Sequence, residues 1–287
     1  MAHAPALRKG LMVGWSSVPS DAHRARNEDA FLVLPDWGFF GVFDGMGGPR
    51  DKDADIAAQL AAEEVREVLA PLAPDASDEA VADTIRDAFF TADAAIRAEA
   101  QGRGSAGHAN MGTTALVAIV RPAGTDTWSV LVGWVGDSRA LVLPVGSRSA
   151  QTLTLDDGVL RLRAFSAKQA RKYQAALGMV TDSKHLSLRE RDLFLERHVL
   201  TQAVGTSLRN VHVAAHLLSD GDLLVLTTDG VHDNLTDREM TATLRRARSV
   251  GDASKQLVIA ARARSRDREH ARAKPDDMTA IIVRLGS

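Results

Sequence analysis

The chain of 287 residues carries 35 lysine and arginine residues against 37 aspartate and glutamate residues, a formal net charge of −2. This balance gives no reason to expect nucleic acid or an anionic membrane as a partner. The chain contains no cysteine, which excludes disulfides, thiolate zinc sites and every cysteine nucleophile. No apolar stretch has the pattern of a signal peptide or the length of a membrane span, so we expect a cytoplasmic protein.

Short apolar runs rich in β-branched and aromatic residues predict strands, and several lie close enough together to form antiparallel hairpins. The predicted strands are 11–17, 30–34, 38–43, 112–121, 128–136, 139–144, 222–228 and 278–285. Apolar residues at helical spacing predict helices at 53–70, 78–100, 167–178, 235–248 and 251–265. This order favours the α+β class, with stacked antiparallel sheets covered by helices.

No internal repeat and no low-complexity tail divides the chain, so we expect a single domain over residues 1–287. Segment 146–200 is the least regular part of it. Within that segment, residues 161–174 carry five lysine and arginine residues and no acid. A solvated helix face explains such a run, and a surface that attracts acidic partners is the alternative.

A carboxylate at the end of an apolar strand, followed by glycine or another small residue, occurs three times. Asp44 lies in GVFDGMGG, Asp137 in LVGWVGDSRA and Asp229 in LLVLTTDGVHDN. The acidic pair Asp276 and Asp277 directly precedes the last predicted strand. Any one of these residues is explained as the start of a turn, but the repeated pattern favours carboxylates that face one cleft.

Carboxylates gathered in one cleft repel one another, and a divalent cation removes that repulsion. Ligation by oxygen alone is typical of hard ions, which indicates Mg²⁺ or Mn²⁺ rather than zinc. Upstream of Asp44, the segment HRARNEDAF places Arg24 before Glu28 and Asp29. A surface ion-pair cluster would look the same, but a guanidinium can also fork onto a phosphoryl group, and acids can hold metal-bound water.

The sequence resembles the metal-dependent protein phosphatases of type 2C, in particular their bacterial branch. The motifs that carry the resemblance are NEDAF, VFDGMGG, NMGTTALVAIV, WVGDSRA, HVLTQAVGT, TTDGVHD and PDDMTAIIV. They occur in family order and cover almost the whole chain, and segment 150–198 corresponds to the family's variable flap. Each motif alone is weak evidence, whereas the ordered set is specific.

The resemblance implies a four-layer α-β-β-α sandwich with a dinuclear Mn²⁺ or Mg²⁺ centre. By that resemblance Asp44 bridges the two cations and the Gly45 carbonyl binds one of them. Asp229 and Asp276 hold the other cation. Asp137, together with Asp229, matches a third metal site of bacterial relatives.

The same resemblance gives Arg24 the role of binding phosphate, with Arg26 as the alternative, and gives Glu28 and Asp29 the role of orienting water. The implied reaction is hydrolysis of phosphoserine and phosphothreonine by a hydroxide that bridges the two cations. It needs no phosphoenzyme. The implied partners are phosphorylated proteins, the substrates of a partner kinase, and we expect a signalling enzyme that acts as a monomer.

Three departures from the family pattern stand out. Met46 occupies the position where many relatives outside the bacterial branch have a histidine, so the proton for the leaving group comes from water or another residue. The loop Pro49–Lys52 differs from the usual histidine and glycines. Asp277 replaces the usual asparagine, which leaves open whether Asp276 or Asp277 is the ligand.

Other functions are less consistent with the residues. A haloacid-dehalogenase phosphatase needs a nucleophilic aspartate after a strand, and the nearest DxD follows a glycine-rich turn instead. A scaffold that binds phosphoproteins without hydrolysing them could keep this fold, although it would not need the complete acidic set. A phosphatase of anti-sigma-antagonist proteins usually carries sensor domains in addition.

Overall fold

The computed structural model describes residues 10–46, 53–103 and 111–286. The strands are β1 (Leu11–Val18), β2 (Asp29–Leu34), β3 (Phe39–Met46), β4 (Gly112–Thr113), β5 (Ala115–Pro122), β6 (Thr127–Val135), β7 (Arg139–Leu143), β8 (Gln151–Thr152), β9 (His212–Ser219), β10 (Leu223–Thr227) and β11 (Met278–Leu285). The α-helices are α1 (Ala54–Leu69), α2 (Asp78–Gly102), α3 (Val159–Arg163), α4 (Ala167–Gly178), α5 (Leu188–Leu195), α6 (Asp229–His232), α7 (Asp237–Arg246) and α8 (Val250–Ser265).

The strands form two sheets in which every neighbouring pair of strands is antiparallel. One sheet has the order β1-β11-β10-β7-β8. The other has the order β2-β3-β5-β6-β9, with β4 paired to the end of β3. The first and last strands of the chain therefore lie side by side, in register from the Leu11–Leu285 pair to the Val18–Met278 pair.

Strand β3 shows how the layers are built, because its side chains alternate between two apolar cores. Phe39 and Phe43 pack with the residues of α1 and α2, whereas Phe40 and Val42 pack against the other sheet. All four are buried. A strand that is apolar on both faces is typical of a sheet covered on both sides.

The buried apolar side chains of the described residues form three large cores and one small one. One core lies between α1–α2 and the β2–β9 sheet, a second lies between the two sheets, and a third lies between the β1–β8 sheet and α7–α8. These cores confirm the expected four-layer α-β-β-α sandwich. Among the described residues, no helix combines the length and apolar character needed to cross a membrane.

Local sequence explains where the helices begin. Ser77 precedes α2 and its hydroxyl accepts a hydrogen bond from the Ala80 amide at 3.1 Å. Thr236 and Glu239 form a reciprocal capping box at the start of α7. Such caps satisfy backbone donors that have no partner within the helix.

Segment 150–198 is more regular than its sequence indicates. It contains β8, α3, α4 and α5, and Leu160, Leu177, Leu193 and Phe194 form a small core of their own. The prediction of 167–178 matches α4 residue for residue. The sequence did not predict the two-residue β8, the edge strand β9 or the short helices α3, α5 and α6.

The approach of α8 to β1 at Gly14 provides a test of the packing. A Cβ at Gly14 would lie 2.4 Å from the Gly251 nitrogen and 2.4 Å from the Val250 carbonyl carbon, both of which belong to the helix backbone. We expect Gly14→Ala to lower the free energy of unfolding by about 1–3 kcal/mol, because α8 must shift to admit the methyl group. Urea denaturation measures this change.

Gly102→Ala is the matched control, because a Cβ at Gly102 would meet no atom within 4 Å. It should leave the free energy of unfolding unchanged or raise it slightly, as alanine favours the helix more than glycine does. Equal stability of the two variants would contradict the close packing of α8 on β1.

Candidate active site

The aspartates that the sequence singles out come together at one end of the sandwich. Asp29 and Asp44 are opposite one another in the β2–β3 ladder. Asp137 follows β6, Asp229 begins α6 directly after β10, and Asp276 precedes β11. Their charges interact, because Asp229, Asp29 and Asp276 each raise the pKa of Asp44, and Asp229 raises the pKa of Asp137.

Burial is the first cause of these shifts. It raises the pKa of Asp29, Asp44 and Asp137 well above the ordinary value for aspartate. Burial also raises the pKa of Asp229 to about 6, against the opposing effect of Lys274. The site is therefore a set of buried and half-buried acids that resist ionising together unless cations are present.

The backbone of Asp44 is fixed by the threonines of the GTT segment. The Thr114 hydroxyl accepts a hydrogen bond from the Asp44 amide at 3.0 Å. The Thr114 amide and the Thr113 hydroxyl both donate to the Asp44 carbonyl, at 2.8 and 2.9 Å. These contacts give the threonines a structural role beside Asp44.

Gly45 is required by a close approach of backbone segments. A Cβ at this position would lie 2.2 Å from the Ala54 carbonyl oxygen and 2.5 Å from the Glu28 carbonyl oxygen. The Gly45 amide donates to that Glu28 oxygen at 3.0 Å. No side chain fits here, so the residue after Asp44 must be glycine whether or not its carbonyl binds a cation.

Asp29 joins the two sheets. One carboxylate oxygen, Oδ2, accepts hydrogen bonds from the hydroxyls of Thr228 and Thr279 at 2.8 and 2.7 Å. Those threonines belong to the β10–α6 connection and to β11 of the opposite sheet. The other oxygen, Oδ1, is buried and has no hydrogen-bond partner among the described residues.

The two consecutive acids before β11 have different surroundings. Asp277 is buried, and its carboxylate accepts hydrogen bonds from the backbone amides of Ser20 and Glu28. It also lies near His23, whose Nδ1 is 3.7 Å from Asp277 Oδ1. Asp276 instead faces the ammonium of Lys274 at 2.9 Å.

Lys274 is the residue of this site that the sequence analysis missed. Its ammonium contacts Asp229 directly and lies 3.7 Å from Asp233 as well as 2.9 Å from Asp276. Burial would lower the pKa of Lys274, but these carboxylates outweigh it and raise the pKa well above the ordinary value. A lysine two residues before an expected metal ligand was the available signal.

The two candidate phosphate-binding arginines are held by carboxylates. Arg24 pairs with Asp21 at 2.9 Å, and Asp21 also pairs with Arg262 and Arg266 at 2.5 Å each. Arg26 forms a two-pronged ion pair with Asp55 at the start of α1. The side chain of Arg24 is 69% exposed and that of Arg26 is 37% exposed, so both can be reached from solvent.

The basic run at 161–174 is partly neutralised within the fold. Arg161 pairs with Asp157, and Arg163 pairs with Glu196 at 2.7 Å. The remaining cations, Lys168, Arg171 and Lys172, form no ion pair within the described ranges. The positive surface is thus smaller than the sequence indicates.

The residues present fit hard divalent cations. Asp29 Oδ1, Asp229 Oδ1 and Asp233 Oδ2 are buried oxygens without a hydrogen-bond partner in the part of the chain that the structure describes. Such oxygens are costly unless a donor or an ion compensates them. Carboxylate oxygens are the ligands that Mg²⁺ and Mn²⁺ prefer. The loop Pro49–Lys52, next to Asp44 in sequence, lies outside the described residues.

Comparisons with known proteins match just over half of the chain by sequence and nearly all of it by fold. The family model described as Protein phosphatase 2C matches residues 8–157, just over half of the chain. No curated protein sequence matches the chain. Solved structures match it over nearly its full length.

Three of those structures illustrate the likeness. PppA, described as a key regulatory component of the T6SS in Pseudomonas aeruginosa, is 24% identical, with 96% of this chain and 98% of that chain covered and a TM-score of 0.68. The S. agalactiae serine/threonine phosphatase is 19% identical, with 96% of this chain and 99% of that chain covered and a TM-score of 0.72. The catalytic domain of PstP in complex with two manganese ions is 20% identical, with 97% and 99% covered and a TM-score of 0.68. At these identities the likeness concerns the fold.

The crowding of acids predicts how the metal-free protein responds to pH. Asp44→Asn should stabilise it, by an amount that increases with pH, because the variant removes a carboxyl whose pKa is raised on folding. An acid with a higher pKa in the folded chain costs stability once the pH exceeds its unfolded pKa. The difference in Tm, measured with a chelator present, should be near zero at about pH 4 and grow towards about pH 8.

Asp126→Asn is the control, since Asp126 is exposed in the turn before β6. It should show no such pH-dependent gain. An Asp44→Asn protein that is less stable than the wild type at about pH 8 would contradict the repulsion inferred at the site.

Proposed function

This chain belongs to the protein phosphatase 2C family of metal-dependent serine/threonine phosphatases, and we propose that its reaction takes place among the clustered aspartates at the end of the sandwich. The single observation that carries this proposal is the convergence of Asp29, Asp44, Asp137, Asp229 and Asp276 from separate strands into one acidic cluster. A scaffold that only binds phosphoproteins would not need it.

The ligands proposed here are those that the family resemblance implies. Asp44 and the Gly45 carbonyl would hold one cation, with Asp44 shared by a second that Asp229 and Asp276 also hold. Asp137, beside Asp229, could contribute to a third. Asp276 is preferred to Asp277 as a ligand, because the Asp277 carboxylate already accepts two backbone hydrogen bonds.

When bound, the cations supply positive charge that offsets the phosphoryl oxygens and acidify the attacking water. Mn²⁺ and Mg²⁺ both suit these oxygen ligands, and the two manganese ions described for PstP support a dinuclear site. The chain itself contributes rigidity. Its threonine hydrogen bonds fix the backbone of Asp44, and this fixed geometry keeps the carboxylates in place before cations bind.

Asp29 and Glu28 would orient water. The Oδ1 oxygen of Asp29 has no partner within the described ranges and so remains an acceptor for a water proton. Burial raises the pKa of Glu28 above its ordinary value. The side chain of Met46 cannot donate a proton, so the leaving alkoxide must take its proton from water or from a neighbouring acid. The substrates would be proteins phosphorylated on serine or threonine by a partner kinase.

Metal removal and ligand substitution test this assignment. Hydrolysis of p-nitrophenyl phosphate and of a phosphothreonine peptide should require added Mn²⁺ or Mg²⁺ and stop in excess EDTA. Asp229→Asn should lower kcat by about a thousandfold or more, because it removes charge from the cation site. Circular dichroism checks that the variant is folded.

Asp126→Asn serves again as the matched control and should retain the activity of the wild type. Turnover by Asp229→Asn within a few-fold of the wild type at saturating Mn²⁺ would refute the proposed ligand set.

The choice between Arg24 and Arg26 can be made by kinetics. If Arg24 binds the phosphoryl group, Arg24→Ala should raise KM for the phosphopeptide about tenfold or more, and lower kcat less, because ground-state contacts are lost. Arg26→Ala should then have a small effect. The reverse pattern would assign the role to Arg26.

Arg266→Ala controls for the damage that Arg24→Ala does to the ion pairs of Asp21, because Arg266 pairs with the same carboxylate. It should leave KM unchanged. An equal rise of KM in Arg24→Ala and Arg266→Ala would show that the Asp21 cluster, rather than a phosphate contact, matters.

A further inference from the structure

Lys274 lies within the acidic cluster and contacts two of its carboxylates. Its ammonium contacts Asp229, lies 2.9 Å from Asp276 Oδ2 and 3.7 Å from Asp233 Oδ2, and its side chain is only 23% exposed. An ion pair between an exposed lysine and an acid contributes little to stability. The ammonium of Lys274 is instead enclosed by three carboxylates and balances part of their negative charge.

The backbone holds Lys274 in this place. Its amide donates to Asn234 Oδ1 at 3.0 Å, and its carbonyl accepts from Asn234 Nδ2 at 2.8 Å. Asn234 is fully buried and also donates to the Gly230 carbonyl at 2.8 Å, beside Asp229. Pro275 follows and favours an extended conformation at Lys274. The hydrogen bonds to Asn234, just after α6, therefore fix the backbone from which the Lys274 ammonium reaches the acids.

Lys274 contacts Oδ2 of Asp229 and Oδ2 of Asp276, and these two carboxylates are the ones proposed above to hold a divalent cation. An ammonium and a metal ion held by the same pair of carboxylates repel each other and compete for the same negative charge. We propose that Lys274 is an internal cation that competes with the divalent ion for Asp229 and Asp276, and so sets the metal concentration at which this position fills. This inference rests on the proposed function.

The structure also offers a place for the displaced ammonium. Asp233 is buried, its Oδ1 pairs with Arg197 at 3.2 Å, and its Oδ2 lies 3.7 Å from the Lys274 ammonium without a hydrogen-bond partner among the described residues. A small rotation of the lysine stem would bring the ammonium onto Asp233. Lys274 could then leave Asp229 without losing every anionic partner.

The test is Mn²⁺ binding to metal-stripped protein, measured by isothermal titration calorimetry, with thermal melting of the same samples. Lys274→Met keeps the length of the side chain and removes the charge. It should bind its weaker Mn²⁺ ion about tenfold more tightly than the wild type. It should also melt at a lower temperature when metal-free, because the acids lose their counter-charge, and gain more in Tm when Mn²⁺ is added.

Lys274→Arg keeps the charge and should bind Mn²⁺ within a few-fold of the wild type. Lys255→Met removes one exposed charge from α8 and should change neither affinity nor Tm. Lys274→Gln replaces Lys274→Met in the test if the methionine variant does not fold, with the same expected tightening.

Three outcomes are distinguishable. Tighter Mn²⁺ binding by the neutral variants alone supports the competition. Equal Mn²⁺ affinity of the wild type and both neutral variants overturns it, and a rise of KM for phosphopeptide at that unchanged affinity would place Lys274 at the phosphoryl group instead. If Asp229→Asn binds Mn²⁺ as well as the wild type does, the proposed ligand set fails, and the inference about Lys274 fails with it.

Discussion

Repulsion between buried carboxylates is the constraint on which the rest of the site depends. Asp29, Asp44, Asp137 and Asp229 all have raised pKa values because burial disfavours their charge and their neighbours are also acids. Such an arrangement weakens a fold unless something else holds it in place. Here the three packed cores of the sandwich supply that stability, and the strain is confined to the strand ends.

The fold explains why these acids meet. Asp44 lies near the end of β3, whose apolar side chains are buried on both faces, with Phe39 and Phe43 on one side and Phe40 and Val42 on the other. Asp137, Asp229 and Asp276 lie just beyond the ends of the similarly buried strands β6, β10 and β11, and Asp29 begins the partly exposed edge strand β2. The position of each carboxylate is thus set by the register of a whole strand. Local turns then make the final adjustment, as the threonines beside Asp44 and the glycine that follows it illustrate.

Sequence patterns predicted the main architecture because the signals were strong and local. Strand β3 was recognisable as a run of apolar residues, α1 from the helical spacing of its apolar residues, and α4 from the glycine that ends it. Strand β9 was not, since it is an edge strand with alanines and a mixed pattern of exposure. The aspartates of the site were predicted because they share one pattern, a carboxylate at the end of an apolar strand. The ammonium of Lys274 reaches the cluster from an irregular segment, through a contact with Asn234 that lies 40 residues away in sequence, and no periodicity reveals such a contact.

The hydrogen bonds of Asp29 have a consequence for residues far from the cleft. A carboxylate in one sheet is held by two hydroxyls that belong to the other, at 2.8 and 2.7 Å, and distances of that kind tolerate little sliding between the sheets. The geometry of the site therefore depends on how the two sheets are aligned. A change of side-chain volume between the sheets, at Leu116 or Ile281 for example, would alter the spacing of the acids without touching any of them. Substitutions in this core would therefore affect the chemistry at its edge. A compensating substitution on the facing sheet would allow a related sequence to repack its interior and keep the same reaction.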